Sequence, residues 1–209
     1  MKPIWMFSAS GFGREVYGAA IRAGFRVKGF IEKEIDSVWN GVPIISENIF
    51  FKNYNPEAVV VAVGDPNLRE KIVNKIKDKF PKCGFPNIID STCILLVPET
   101  ISLGKGIVMM PYCYLTTDIS IGNFCQFNIG TGIGHDCVIE EYVTTGMNPN
   151  IAGNNKIGKN TRLGSNVTTK EHITICNNVM LGIGTVVVKD ITESGVYIGN
   201  PSKKLIKDK

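Results

Sequence analysis

The sequence offers two histidines as candidate proton carriers, and their surroundings differ. His135 sits in G-T-G-I-G-H-D-C, with the carboxylate of Asp136 directly after it. A carboxylate beside an imidazole can fix its tautomer and stabilise the imidazolium formed when it takes a proton. That chemistry suits acyl transfer from a thioester to an amine or hydroxyl, which needs a base and donors for the developing oxyanion, and no metal. From the residues alone, a solvated turn accounts for the pair equally well. His172, in T-K-E-H-I-T, lies among charged neighbours and reads as a surface histidine. A nucleophilic serine or thiol is the weaker reading, because no nucleophile elbow is present and the cysteines mostly fall at buried positions of the repeat described below.

A second candidate site lies near the start of the chain. The turn S-A-S-G-F-G after the apolar run Ile4 to Phe7 resembles a shortened dinucleotide fingerprint. Its glycines could simply allow close strand-to-helix packing. Alternatively, amides at the following helix N-terminus could meet a phosphate, with Glu32 near a ribose. The six cysteines form no C-x-x-C pair and read as reduced, buried thiols rather than metal ligands or disulfides. A formal charge of +4, without a Lys/Arg stripe interleaved with aromatics, does not point to nucleic acid. No apolar run reaches the roughly 18 residues of a membrane helix, and the first run is too short for a signal peptide, so a cytoplasmic protein is expected.

The elements that must position these residues follow from a repeat. Every sixth residue from Val97 to Val187 is large and apolar, except for Thr145 and Thr169, and the register never slips over sixteen positions. Four residues after each comes a second set of small or branched side chains, such as Ile107, Thr131, Val143 and Val167. This pattern predicts a triangular prism of parallel strands, one hexad per side and about five coils, because a single coil cannot bury its own apolar corner. Glycine is expected to supply the positive φ of the corners. His135, two residues after inward Ile133, should project outward. Cys113, Cys125 and Cys137 recur every twelve residues, two sides of a three-sided prism, so they should lie on three different faces and cannot share an ion.

The first part of the chain alternates strands and helices instead. Strands are expected at Ile4 to Phe7, Val27 to Ile31 and Ala58 to Val63, and helices at Arg14 to Ala23 and Asn67 to Lys79. The expected architecture is therefore a small Rossmann-like α/β domain over residues 1–86 and an all-β parallel β-helix with a C-terminal tail over 87–209.

The hexads, the segments H-D-C-V-I-E-E-Y and I-A-G-N-N-K-I-G-K-N, and the C-terminal G-V-Y-I-G-N-P-S-K-K together resemble the left-handed β-helix sugar acetyltransferases. The similarity is greatest to the UDP-bacillosamine N-acetyltransferase and sialic acid O-acetyltransferase group, and runs over essentially the whole chain. The left hand of the coil comes from this resemblance; general crossover chirality predicts the opposite hand. It implies acetyl-CoA as co-substrate, a nucleotide-linked amino sugar as acceptor, His135 as general base and Asp136 as the residue that raises its basicity. It further implies Asn128 at the acceptor end, Thr144, Gly153 and Ser165 along the CoA channel, and Lys203 or Lys204 at the CoA phosphates, with Asn200 and Pro201 near the adenine. Ser10, Gly11, Phe12, Glu32, Lys33 and Gly64 match the nucleotide positions of the N-terminal domain. Four departures stand out: Ser8 for a glycine, Phe12 and Thr144 for histidines, and M-N-P at Met147 to Pro149 for a run of small residues. The resemblance also implies a homotrimer with active sites between subunits. O-acetylation of a sialic acid, or a non-catalytic trimeric nucleotide-sugar scaffold, are the alternatives.

Overall fold

The computed structural model describes residues 1–34 and 36–206 and forms two compact units, Met1–Ser91 and Thr92–Lys209. In the first unit, β1 (Lys2–Phe7), β2 (Phe25–Glu32), β4 (Val42–Ser46) and β5 (Val59–Val61) are parallel, and β3 (Ser37–Trp39) is an antiparallel edge, in the order β3-β4-β2-β1-β5. The helices are α1 (Gly11–Arg22), α2 (Glu47–Asn53) and α3 (Pro66–Lys79). Ser10 caps α1 by accepting the Gly13 amide, and Asp65 caps α3 by accepting that of Leu68, each meeting one donor a helix start leaves orphaned. Residues 33–57, for which the sequence reading assigns no element, carry β3, β4 and α2. The hairpin turns at Asn40 and Gly41, both with positive φ. Asn-Gly is the sequence signature of a type I′ turn, so this signal was available.

The second unit is a three-sided parallel β-helix. Its first face stacks Ile94–Leu95, Tyr114–Leu115, Gly132–Ile133, Asn150–Ile151, Thr168–Thr169 and Val186–Val187. The second runs from Ile101–Leu103 to Thr174–Ile175, and the third includes Val108–Met109, Gln126–Phe127, Thr144–Thr145, Arg162–Leu163 and Val179–Leu181. Gly132 pairs with Asn150 and Ile133 with Ile151, so one turn of the prism takes eighteen residues. From Met109 to Val187 every sixth-residue position is buried; only Val97 and Leu103, in the first coil, are half-buried. The second inward set is likewise buried from Ile107 to Ile191. Each large side chain so buried is worth roughly 1.5–3 kcal/mol, and the stack repeats that gain coil after coil.

Polar residues inside the prism are matched to partners. Asn155 is 1% exposed. Its Nδ2 donates to Ala152 O, Lys170 O and Thr169 Oγ1, and its Oδ1 accepts the Ile173 amide at 2.7 Å. Cys113, Cys125 and Cys137 occupy the second inward set, each immediately before a strand of a different face. Burial pushes the Cys137 thiol up, and a hydrogen bond from the neighbouring Cys93 thiol together with burial does the same to Cys113.

The corners correct the sequence reading. The left-handed residue lies three positions after each large inward side chain, and it is usually not glycine: Asp118, Asp136, Asn154 and His172 occupy one corner with φ of 55°, 57°, 60° and 60°. Asp and Asn tolerate this region because their short polar side chains bond locally. The recurrent glycine directly after the inward residue has another cause. A Cβ on Gly134 would stand 2.7 Å from the Gly153 amide of the next coil, so that position is reserved by close backbone approach.

Candidate active site

His135 and Asp136 form the corner between the first and second faces. The prism turns here because Asp136 adopts the left-handed conformation, its amide donating to Thr117 O, while His135 O accepts the Asn154 amide. Both side chains are more than half exposed, at 57% and 55%. His135 Nδ1 meets Asp136 Oδ2 at 2.7 Å. That contact favours the tautomer with the proton on Nδ1 and leaves Nε2 as the proton acceptor. One coil on, Gly153 lies directly beneath the imidazole: a Cβ there would stand 2.6 Å from both Nε2 and Cε1. The absence of that carbon gives the ring its seat. Among the described residues no group of three or more His, Cys, Asp or Glu could hold a metal ion.

The other residues singled out in the second unit lie elsewhere on the chain. Asn128 and Ser165 occupy the corner between the third and first faces, where Asn128 donates its amide to Thr145 Oγ1 and Ser165 Oγ accepts the Met147 amide. Thr144 is on the third face and buried. Near the C-terminus Lys203 is exposed, whereas Lys204 Nζ pairs with Glu193 Oε2 at 2.8 Å, which holds the Glu193 carboxyl below its usual range. His172 is exposed two coils beyond His135 on the same corner.

The first unit contains a cleft of about 510 Å³ at the carboxyl ends of its parallel strands. Ligands of open α/β sheets bind at this edge. Ser10, Glu32, Lys33 and Gly64 line it, whereas Gly11 and Phe12, in the first turn of α1, do not. Ser8, one of the departures from the resemblance, takes φ 84° and has its hydroxyl in contact with Ser10 Oγ at 2.9 Å. Glu32 Oε1 accepts the Ala9 amide at 2.5 Å, so this acidic side chain also braces the turn. The entirely buried Arg69 donates to Val63 O at 2.7 Å and fixes the wall beside Gly64.

Further lining residues escaped the sequence reading, among them a set from α3 and one beyond β4. Leu68, Lys71, Ile72 and Lys75 come from α3, and Glu47 follows β4. The α3 set has the i, i+3, i+4, i+7 spacing of one helix face, a signal open to a reader who knew which face the sheet left uncovered.

An α/β unit followed by a three-sided β-helix with a histidine-bearing corner is the architecture that the resemblance to the sugar acetyltransferases implies. Residues 3–76 match the PglD N-terminal domain. The GDP-perosamine N-acetyltransferase of Escherichia coli O157:H7 is 27% identical over 135 residues, which are 64% of this chain and 59% of that protein. The chain thus spans less than two thirds of that curated relative. A perosamine N-acetyltransferase variant from Caulobacter crescentus, solved with CoA and GDP-perosamine, superposes with a TM-score of 0.92 at 23% identity over 99% of this chain and 98% of its own. The acetyltransferase domain of PglB from Neisseria gonorrhoeae does so with a TM-score of 0.90 at 23% identity, over 98% and 100% of the two chains. At these identities the structural likeness is one of fold.

Proposed function

We propose that the protein transfers the acetyl group of acetyl-CoA to the amino group of a nucleotide-linked amino-deoxy sugar, with His135 as general base. The observation that carries this reading is the His135–Asp136 pair seated over Gly153, with Nε2 directed away from the carboxylate. His135 Nε2 takes a proton as the sugar amine nitrogen bonds to the thioester carbonyl carbon. A backbone amide near Gly153 stabilises the oxyanion, the carbon–sulfur bond breaks, and CoA leaves with its electron pair while the amide product remains. No side chain is acetylated, so both substrates must be bound together. The curated relative from Escherichia coli O157:H7 and the Caulobacter crescentus structure, which are named as acting on or binding GDP-perosamine, support this acceptor class.

Within one prism, Asn128 and Ser165 stand one corner away from His135. A trimer in which the corner of one prism faces its neighbour would bring both sets to one cleft, consistent with the cyclic symmetry of closed oligomers. In this reading the first unit holds the nucleotide through Ser10, Glu32, Lys33 and Gly64, and Thr144, Lys203 and Lys204 serve acetyl-CoA. The enzyme would work in the cytoplasm; among the described residues no helix is long and apolar enough to cross a membrane. The test is a CoA-release assay over a panel of UDP-, dTDP- and GDP-linked 4-amino-4,6-dideoxy sugars. Turnover with one of them, reduced at least 100-fold in His135→Ala at saturating acetyl-CoA, is the expected result; a fully active variant refutes the reading.

A further inference from the structure

We infer that Glu47 and Lys75 read the base of the nucleotide and select guanine, so that the acceptor is a GDP-linked sugar; this rests on the nucleotide-sugar reading above. The two residues pair, Lys75 Nζ with Glu47 Oε1, where β4 ends and α3 passes. Both line the cleft. The Glu47 side chain is only 18% exposed, and its Oε2 has no partner among the described residues. That oxygen stands open to the cleft as an acceptor, and a ligand donor placed there meets a charged partner.

The position along the cleft also points to the base. The Ser8–Ser10 turn and the start of α1 lie at the end of β1, where a helix N-terminus favours phosphate. β2 and then β4 lie successively further along the sheet, so Glu47 is placed toward the end remote from that turn. Leu68 and Ile72, on the same face of α3 as Lys75, offer an apolar wall for a flat ring.

An ammonium beside a carboxylate presents one donor followed by two acceptors. Guanine presents the complement on its Watson–Crick edge: O6 accepts, and N1–H and the N2 amino group donate. Uracil and thymine offer O4 and N3–H but then O2, which would face the second carboxylate oxygen as acceptor against acceptor. In adenine and cytosine a ring nitrogen acceptor replaces the central donor. Of the common bases, only guanine fits without an unpaired or opposed polar atom.

The test is calorimetric titration of the full chain with GDP, inosine diphosphate, UDP and dTDP, for the wild type and for Glu47→Gln. Inosine diphosphate lacks only the N2 amino group, so the wild type needs no folded variant to answer the question. The expected order is GDP tightest, inosine diphosphate weaker by on the order of 10-fold, and UDP and dTDP weaker by on the order of 100-fold. In Glu47→Gln these differences should collapse. Equal binding of GDP and UDP to the wild type, or an unchanged preference in Glu47→Gln, overturns the base assignment and leaves the nucleotide-sugar reading standing. Failure of the wild type to bind any of the four nucleotides overturns both.

Discussion

Substituting Gly153 by alanine isolates the contact on which the proposed base depends. The added carbon would lie 2.6 Å from His135 Nε2 and Cε1. Ordinary carbon contacts begin near 3.5 Å, so the exposed imidazole must retreat by roughly 1 Å. A displacement of that size at a proton-transfer site costs on the order of 100-fold in rate. Gly153 is not among the positive-φ residues, so the backbone accepts alanine and thermal stability should change little. Steady-state kinetics with saturating sugar should therefore show kcat lowered about 100-fold, with KM for acetyl-CoA much less affected. The same change in a His135→Ala background separates this cause from obstruction of CoA. If alanine acts through the imidazole, it lowers the residual kcat no further; if it blocks CoA, KM for acetyl-CoA rises in both backgrounds. Wild-type kcat in Gly153→Ala, or additive losses in the double variant, would refute the argument that this glycine seats the base.

Two further outcomes concern stability. Asn155→Ala removes the acceptor of the buried Ile173 amide and the donor to two carbonyls and Thr169, and should lower urea stability by at least ~2 kcal/mol while leaving the exposed His135 corner intact. Burial pushes the Cys83 thiol from 9.0 up to about 11. Above pH 9.0 the unfolded chain therefore releases the proton first, so the contribution is fully present below pH 9.0 and is lost as pH rises toward 11. Urea midpoints measured at pH 8 and pH 11 should fall more for the wild type than for Cys83→Ala.

The sequence by itself determined the β-helix and its inward residues, because a six-residue rhythm of side chains such as Ile133, Ile151 and Thr169 has only one way to bury itself: stacked coils. It also placed His135 on the outside, because a residue two positions after inward Ile133 falls at the corner beyond the strand. The flanking α/β elements were legible wherever a β-branched run or a capping residue marked them, as at Val59–Val61 and Asp65. What only the tertiary structure decided are the contacts between coils and between elements distant in sequence. That the glycines after the inward residues serve close approach rather than positive φ depends on the backbone of the next coil, as Gly134 and Gly153 show. The Glu47–Lys75 pair spans twenty-eight residues and exists only because α3 passes the end of β4, and no local pattern in either segment carries that information.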